Sequence, residues 1–178
     1  MIVGVTGPLG AGKTTVCEML ARRGFTRVSC SDLLRELATQ RGWEHTRDNL
    51  RKLGDELRAQ GGPAAVAEKV LEKISDTKAS GKWCIDSIRH PKEVAAVQKK
   101  GGVVIAVVAS DLNRFDRVVT RKREVAEAKM DFDDFTKSDI HDRGMGIDEA
   151  VDAADFVIVN DVRLKVLEEN LDEILQTL

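Results

Sequence analysis

The chain lacks several features that would direct it toward nucleic acid, membranes or structural metals. It has no tyrosine and a formal net charge of −2 over 178 residues, so neither a polycationic surface nor stacking on tyrosine points to nucleic acid. Its three cysteines, Cys17, Cys30 and Cys84, are scattered without metal-ligand spacing, which favours buried thiols in a reducing compartment. No apolar run is long enough to cross a bilayer, so no membrane partner is expected.

The remaining composition is that of an ordinary globular chain. Hydrophobic residues make up 42% and charged residues 33% of it, and its length suffices for one domain with its own core. We find no repeat, low-complexity tract or linker, and therefore predict a single domain over residues 1–178. An apolar strand begins within the first residues and leaves no room for a signal peptide, so the expected location is the cytoplasm.

Residues 7–14 read Gly-Pro-Leu-Gly-Ala-Gly-Lys-Thr and fit G-x-x-x-x-G-K-[ST], a phosphate-binding loop. An apolar run precedes them and a helical pattern follows, which is the context that the motif requires. Backbone N–H groups of such a loop and of the helix start converge on phosphate oxygens, while Lys13 would reach the β- and γ-phosphates and Thr14 would hold Mg²⁺. The residues predicted to bind ATP here are Gly7, Gly10, Ala11, Gly12, Lys13, Thr14 and Thr15.

Apolar runs and helical patterns alternate along the chain. The runs predict five strands over Ile2–Thr6, Thr26–Cys30, Trp83–Ile88, Val103–Val108 and Phe156–Asn160. They are short and lack clean alternation, which is typical of a parallel sheet buried on both faces. We therefore predict an α/β fold with three layers: a five-stranded parallel sheet of the P-loop NTPase type with helices on both faces.

Two connections are too long to be simple crossovers. Residues 32–80 and 111–155 each contain further helical patterns and leave the sheet at the carboxyl ends of the strands. Ligands of such folds bind at that edge, so we expect both insertions to close over the bound substrates, the first holding the acceptor and the second acting as a lid.

Residues after the second and third strands are candidates for chemistry. Asp86 ends the third strand beside the loop and is the expected second ligand of Mg²⁺, often through water. Arg89 follows three residues later, where its planar guanidinium could hold a second phosphate. After the second strand, Ser31 is predicted to cap a helix in which Asp32 and Arg35 follow.

A basic run lies at residues 114–123. Arg114, Arg117 and Arg121 are spaced i, i+3 and i+7, which places them on one helix face. Such a run is often only a solvated face, but its position in the second insertion favours contact with nucleotide phosphates.

These features together resemble the nucleoside monophosphate kinases of the adenylate kinase type. The loop, the helix start Asp32-Leu33-Leu34-Arg35 and the pair Asp86 and Arg89 carry the resemblance. The segments 86–94, 144–147 and 154–160 are similar, more narrowly, to small P-loop proteins related to adenylate kinase or dephospho-CoA kinase. The resemblance implies that Arg35 and Arg89 bind the acceptor monophosphate.

The resemblance implies further roles for residues of the lid and the last strand. Arg117 would lie near the donor base, Arg121 near the transferring phosphoryl group, and Asn160 near the donor base. The catalytic set would then be Lys13, Arg89 and Arg121, with Mg²⁺ and ATP as cofactor and phosphoryl donor.

Three functions stay open at this point. The first is phosphoryl transfer from ATP to a nucleoside or deoxynucleoside monophosphate. The second is transfer to the ribose hydroxyl of dephospho-CoA, which would make Asp32 a general base and therefore a catalytic residue. The third is a nucleotide-binding switch or assembly factor with weak ATPase activity. Neither the acceptor base and sugar nor the choice between ATP and GTP follows from the residues.

Overall fold

A computed structural model describes residues 1–77, 81–121 and 130–178 and contains one parallel sheet in the order β2-β3-β1-β4-β5. Every predicted strand is present within one residue at either end. The strands are β1 (Ile2–Thr6), β2 (Phe25–Ser29), β3 (Lys82–Ile88), β4 (Val103–Val108) and β5 (Phe156–Val159).

Helices connect all successive strands, which confirms the predicted α/β architecture. Among the described residues they are α1 (Lys13–Arg22), α2 (Cys30–Gln40), α3 (Arg47–Gly61), α4 (Ala65–Asp76), α5 (Pro91–Lys99), α6 (Asp111–Arg121), α7 (Phe132–Gly144), α8 (Ile147–Asp152) and α9 (Leu164–Gln176). None of the helices in these three ranges is long and apolar enough to cross a bilayer.

The sheet is buried on both faces, which explains why its strands lack alternation in sequence. Val3 and Val5 of β1 and Cys84 of β3 pack in one apolar cluster with α1 and α9. Ile85 of β3 and Val104 of β4 pack in a second cluster with α4, α5 and α8. Helices thus cover the sheet on both sides, as predicted for a three-layer domain.

The chain crosses the sheet in opposite directions after β1 and after β3. From β1 it passes through α1 to the edge strand β2, whereas from β3 it passes through α5 to β4 on the other side. The helices that follow β1 and β3 therefore pack on opposite faces. This arrangement opens a crevice at the carboxyl ends of the two strands, where α/β folds bind ligands.

The two long connections are helical. Helices α2, α3 and α4 lie between β2 and β3, and α6, α7 and α8 lie between β4 and β5. Helix α2 begins at Cys30, and its N-cap is Ser29, whose hydroxyl accepts the Ser31 N–H at 3.1 Å. The prediction that Ser31 caps this helix was therefore wrong by two residues. Positions 78–80 and 122–129 of the predicted insertions, with the end of the basic run, lie outside the described residues.

The three cysteines are buried and free, as predicted. Burial raises the pKa of the Cys30 thiol well above its ordinary value, so it stays protonated and packs as a small apolar side chain.

Candidate functional site

The loop between β1 and α1 has a backbone path that requires glycine. Gly10 has φ +78°, and a Cβ there would stand 2.4 Å from the carbonyl oxygen of Arg114. Gly12 has φ +106°, and a Cβ there would stand 2.3 Å from the side-chain nitrogen of Asn160. Gly12 is also the N-cap of α1, and it has no side chain that could accept hydrogen bonds from the first-turn N–H groups. The first-turn N–H groups of α1 are therefore available to an external anion.

Lys13 lies folded against this loop. Its Nζ donates to the carbonyl oxygens of Gly7 at 2.7 Å and of Pro8 at 2.8 Å. Burial lowers the pKa of Lys13 to about 8, and the nearby Arg89 adds to the lowering, while the carboxylate of Asp86 opposes it. A bound phosphate would replace the two carbonyl oxygens with charged ones and restore the full positive charge.

A cavity of about 700 Å³ opens above the loop, and most of the predicted site residues line it. The predicted residues on its wall are Gly10, Gly12, Lys13, Thr14, Thr15, Arg35, Arg89, Arg117 and Arg121. The other predicted ATP-binding residues are buried instead: Gly7, Ala11 and Asn160. Asp32 lies outside the wall with 60% of its side chain exposed and pairs with Arg35 at 2.6 Å.

Two further arginines on the wall were not among the predicted site residues. Arg51 and Arg58 project from α3, and Gly54 between them also lines the cavity. The spacing i, i+3 and i+7 marks them as one face of the helix, and this was the signal available in the sequence. Arg58 pairs with Asp55 at 3.4 Å and lies 3.7 Å from the buried Glu93.

Asp142 of α7 lies near Arg51 and Arg89. One carboxylate oxygen lies 3.3 Å from the guanidinium of Arg89 and the other lies 3.8 Å from that of Arg51. Only 4% of the Asp142 side chain is exposed. Nothing in the sequence pattern singled it out.

The end of β3 carries a local distortion beside the loop. Pairing of β1 with β3 shifts register between Val5 and Thr6, and Ser87 has φ +71°. Such a bulge re-aims side chains at the end of a strand. It leaves Asp86 2% exposed, with one carboxylate oxygen accepting from Arg27 Nε at 3.1 Å and the other from the Ser87 hydroxyl at 3.1 Å.

The residues present fit a magnesium ion that is held partly by a nucleotide. Thr14 lines the cavity; Asp86 is buried and is not on the cavity wall, but its oxygen bonded to Ser87 keeps lone pairs for a metal-bound water. Within the described residues, no three His, Cys, Asp or Glu side chains come together to hold a metal. Mg²⁺ commonly takes one or two protein ligands and completes its shell with phosphates and water.

Arg117 and Asn160 brace the loop from the side of β5. Arg117 donates to the carbonyl oxygen of Asn160 at 2.6 Å and approaches that of Ala11 at 3.4 Å. The Asn160 amide, which is 6% exposed, donates to the Ala11 carbonyl oxygen at 2.8 Å. Both side chains therefore position the loop, and their proximity to a donor base stays a prediction.

Arg114 does not share the cavity with Arg117 and Arg121, which corrects the expectation of one phosphate-facing row. Its side chain is 1% exposed and forms a bidentate pair with Asp139 of α7, at 2.6 and 2.7 Å. It also donates to the Leu9 carbonyl oxygen at 2.9 Å. Arg114 thus joins the lid helix to the loop rather than facing a substrate.

Solved structures that superpose on this chain identify its fold class. The chain superposes on shikimate kinase from Bacteroides thetaiotaomicron with a TM-score of 0.66 and 15% identity, covering 99% of this chain and 98% of that one. It superposes on dephospho-CoA kinase from Campylobacter jejuni with a TM-score of 0.56 and 15% identity, covering 98% and 95%. These likenesses show a P-loop kinase-like fold.

Sequence comparison then gives the family. Residues 3–141 match a family model described as AAA domain. A UPF0200 protein of Hyperthermus butylicus is 31% identical over 179 aligned residues, which cover 100% of this chain and 95% of that protein. The chain belongs to the UPF0200 family of P-loop proteins.

Proposed function

We propose that the chain transfers the γ-phosphoryl group of ATP to the phosphate of a nucleoside or deoxynucleoside monophosphate. One observation carries the proposal: the phosphate-binding loop with Lys13 shares one cavity with a second cluster of cations. That cluster consists of Arg35, Arg51, Arg58 and Arg89. A second set of guanidinium groups fits an acceptor that is itself a phosphate.

Such a transfer needs positioning and charge neutralisation more than covalent chemistry from the protein. The loop amides and Lys13 hold the donor phosphates, and Arg121, which lines the same cavity, neutralises charge on the transferring group. Thr14 and, through a water, Asp86 would hold Mg²⁺, which would supply positive charge to the donor phosphates. The acceptor phosphate is already an anion, so no general base is required.

The environment of Asp32 supports a phosphate acceptor over a hydroxyl acceptor. A general base must come within hydrogen-bond reach of the proton that it removes. Asp32 is more than half exposed, lies off the cavity wall and is paired with Arg35. This placement argues against Asp32 as the base for transfer to the ribose hydroxyl of dephospho-CoA.

The test is a coupled assay of ADP release over all common nucleoside and deoxynucleoside monophosphates, with dephospho-CoA and shikimate added. The same panel is run with GTP as donor, and Lys13→Ala serves as the control for contaminating kinases. Acceleration by one class of monophosphate is the expected result. If dephospho-CoA alone accelerates release and Asp32→Asn lowers that rate about 100-fold or more, the acceptor is a hydroxyl.

Slow hydrolysis of ATP that no acceptor accelerates would contradict any kinase function. The chain would then act as a nucleotide-binding switch.

A further inference from the structure

Asp142 occupies an unusual position for a carboxylate in a cavity built to bind anions. It extends from α7 between Arg89, which follows β3, and Arg51 on α3. Each arginine faces a different oxygen of the one carboxylate, so two separate elements flank a single negative charge. The Asp142 side chain is 4% exposed, whereas those of Arg51 and Arg89 are 30% and 34% exposed.

The chemistry of this contact matches that of a phosphate site. Guanidinium groups bind carboxylate and phosphate oxygens with the same planar donor geometry. A carboxylate withdrawn from water requires such partners, since an unpaired buried charge is strongly unfavourable. Both arginines line the cavity together with Lys13, so the group held between them lies in the same cavity as the loop.

We propose that Arg51 and Arg89 form the subsite for the acceptor's phosphate monoester, and that Asp142 fills this subsite until the acceptor displaces it. The inference rests on the proposed function for the identity of the monoester as the acceptor. It assigns Arg51 a binding role and makes Asp142 an internal competitor. Arg35 pairs with Asp32 and takes no part in this contact with Asp142.

Displacement of Asp142 affects the end of α7 more than its beginning. A bound phosphate and the carboxylate cannot share two guanidinium groups, because like charges at contact distance repel. One turn earlier on the helix, Asp139 stays anchored by its bidentate pair with Arg114. Entry of the acceptor therefore loosens residues 140–144 by removing one of their contacts, although Arg143 keeps its pairs with Asp139 at 3.1 Å and Asp148 at 3.4 Å.

The first test measures binding by calorimetry with the loop held by saturating Mg-ADP, so that no transfer takes place. Each nucleoside monophosphate is compared with its nucleoside, which lacks the phosphate. Asp142→Asn should bind the best monophosphate about tenfold tighter than the unmodified chain, the equivalent of removing about one competing charge contact. Arg51→Gln should bind it at least about tenfold more weakly. Affinity for the nucleoside should change in neither variant.

Asp133→Asn is the matched control, because it removes the same charge from an exposed position on the same helix. It should leave both affinities unchanged. Equal gains in the two variants would attribute the effect to net charge and overturn the proposal, as would an Asp142→Asn chain that binds no tighter.

The second test needs no variant. Hydrogen exchange of the amides in residues 140–144 should become faster when the monophosphate binds and stay constant when the nucleoside is added. Slower exchange there would contradict displacement. Tighter binding in Asp142→Asn without any turnover would retain this inference and refute the proposed kinase, whereas turnover with unchanged affinity would do the reverse.

Discussion

Replacing Arg114 by methionine should destabilise the protein by about 3–5 kcal/mol, because it removes the bidentate partner of the buried Asp139, which then keeps one cation, Arg143 at 3.1 Å. The Arg114 side chain is 1% exposed, and its terminal nitrogens donate to both oxygens of Asp139. One of them also donates to the Leu9 carbonyl oxygen and the other to Asp111 at 2.7 Å. Methionine retains much of the apolar stem but none of these donors.

For a chain of 178 residues, that loss corresponds to a decrease in Tm of about 6–20 °C. The double variant Arg114→Met/Asp139→Leu removes both charges and should recover much of the loss, since an apolar pair needs no counter-charge. Thermal and urea unfolding measure both effects. The exposed Arg22→Met is the control and should change the free energy of unfolding by less than about 0.5 kcal/mol.

The pH dependence of stability gives an independent check on the pair of Arg114 and Asp139. Burial raises the pKa of Asp139, but its bonds from Arg114 outweigh that effect and place the pKa below the ordinary value of 3.8. A carboxyl group with a lowered folded-state pKa contributes stability that is complete above its unfolded pKa and is lost as pH falls through the folded value. The deficit of Arg114→Met should therefore shrink below about pH 4. A deficit under 1 kcal/mol at pH 7, or no recovery in the double variant, would refute the reasoning.

Three further predictions concern the cavity. Arg121→Ala should lower turnover about 10³–10⁵-fold in steady-state assays, and a loss below tenfold would remove it from the transferring group. The pKa of Lys13 is lowered to about 8, so the free protein loses the Lys13 proton above that pH. Binding of ADP should therefore be accompanied by uptake of a proton in that range, and the affinity for ADP should fall as the pH rises. Calorimetry in buffers of different ionisation enthalpy detects the uptake, which Lys13→Ala should lack. Gly12→Ala should abolish ADP binding in a folded chain, since its Cβ would meet Asn160 at positive φ. Gly24→Ala, also at positive φ but with nothing within 4 Å, should bind ADP normally, and equal binding by both would contradict the argument.

The fold was predictable because its determinants are local. Buried strands of a parallel sheet are continuous apolar runs, and Gly24 and Gly101 stop the helices before two of them with φ of +85° and +72°. The phosphate loop follows from eight contiguous residues for the same reason. The order of the strands was not predicted, since it depends on which faces the connecting helices cover.

The walls of the cavity were harder to predict because they come from docked insertions. Helical spacing shows that Arg114 and Arg121 point in nearly the same direction, but they are about 10 Å apart along the axis. At one end α7 covers the helix and buries the arginine against Asp139, while at the other end the cavity is open. Residue spacing within one helix does not show where α7 or α3 packs against the rest of the chain. Arg51 and Asp142 were missed for this reason.

The proposed anion-binding cavity lies in a chain with a net charge of −2, which raises the question of how its cations are stored without a ligand. Many of these cations pair with oxygen atoms of the chain itself. Lys13 bonds to loop carbonyl oxygens, Arg35 to Asp32, and Arg51 and Arg89 to Asp142. Each substrate must exchange such a contact for its own phosphate, so the free energy gained on binding is a difference between two charge-assisted contacts. Selectivity then favours ligands with more charge than a single carboxylate, which is the property that distinguishes a phosphate dianion from monovalent anions.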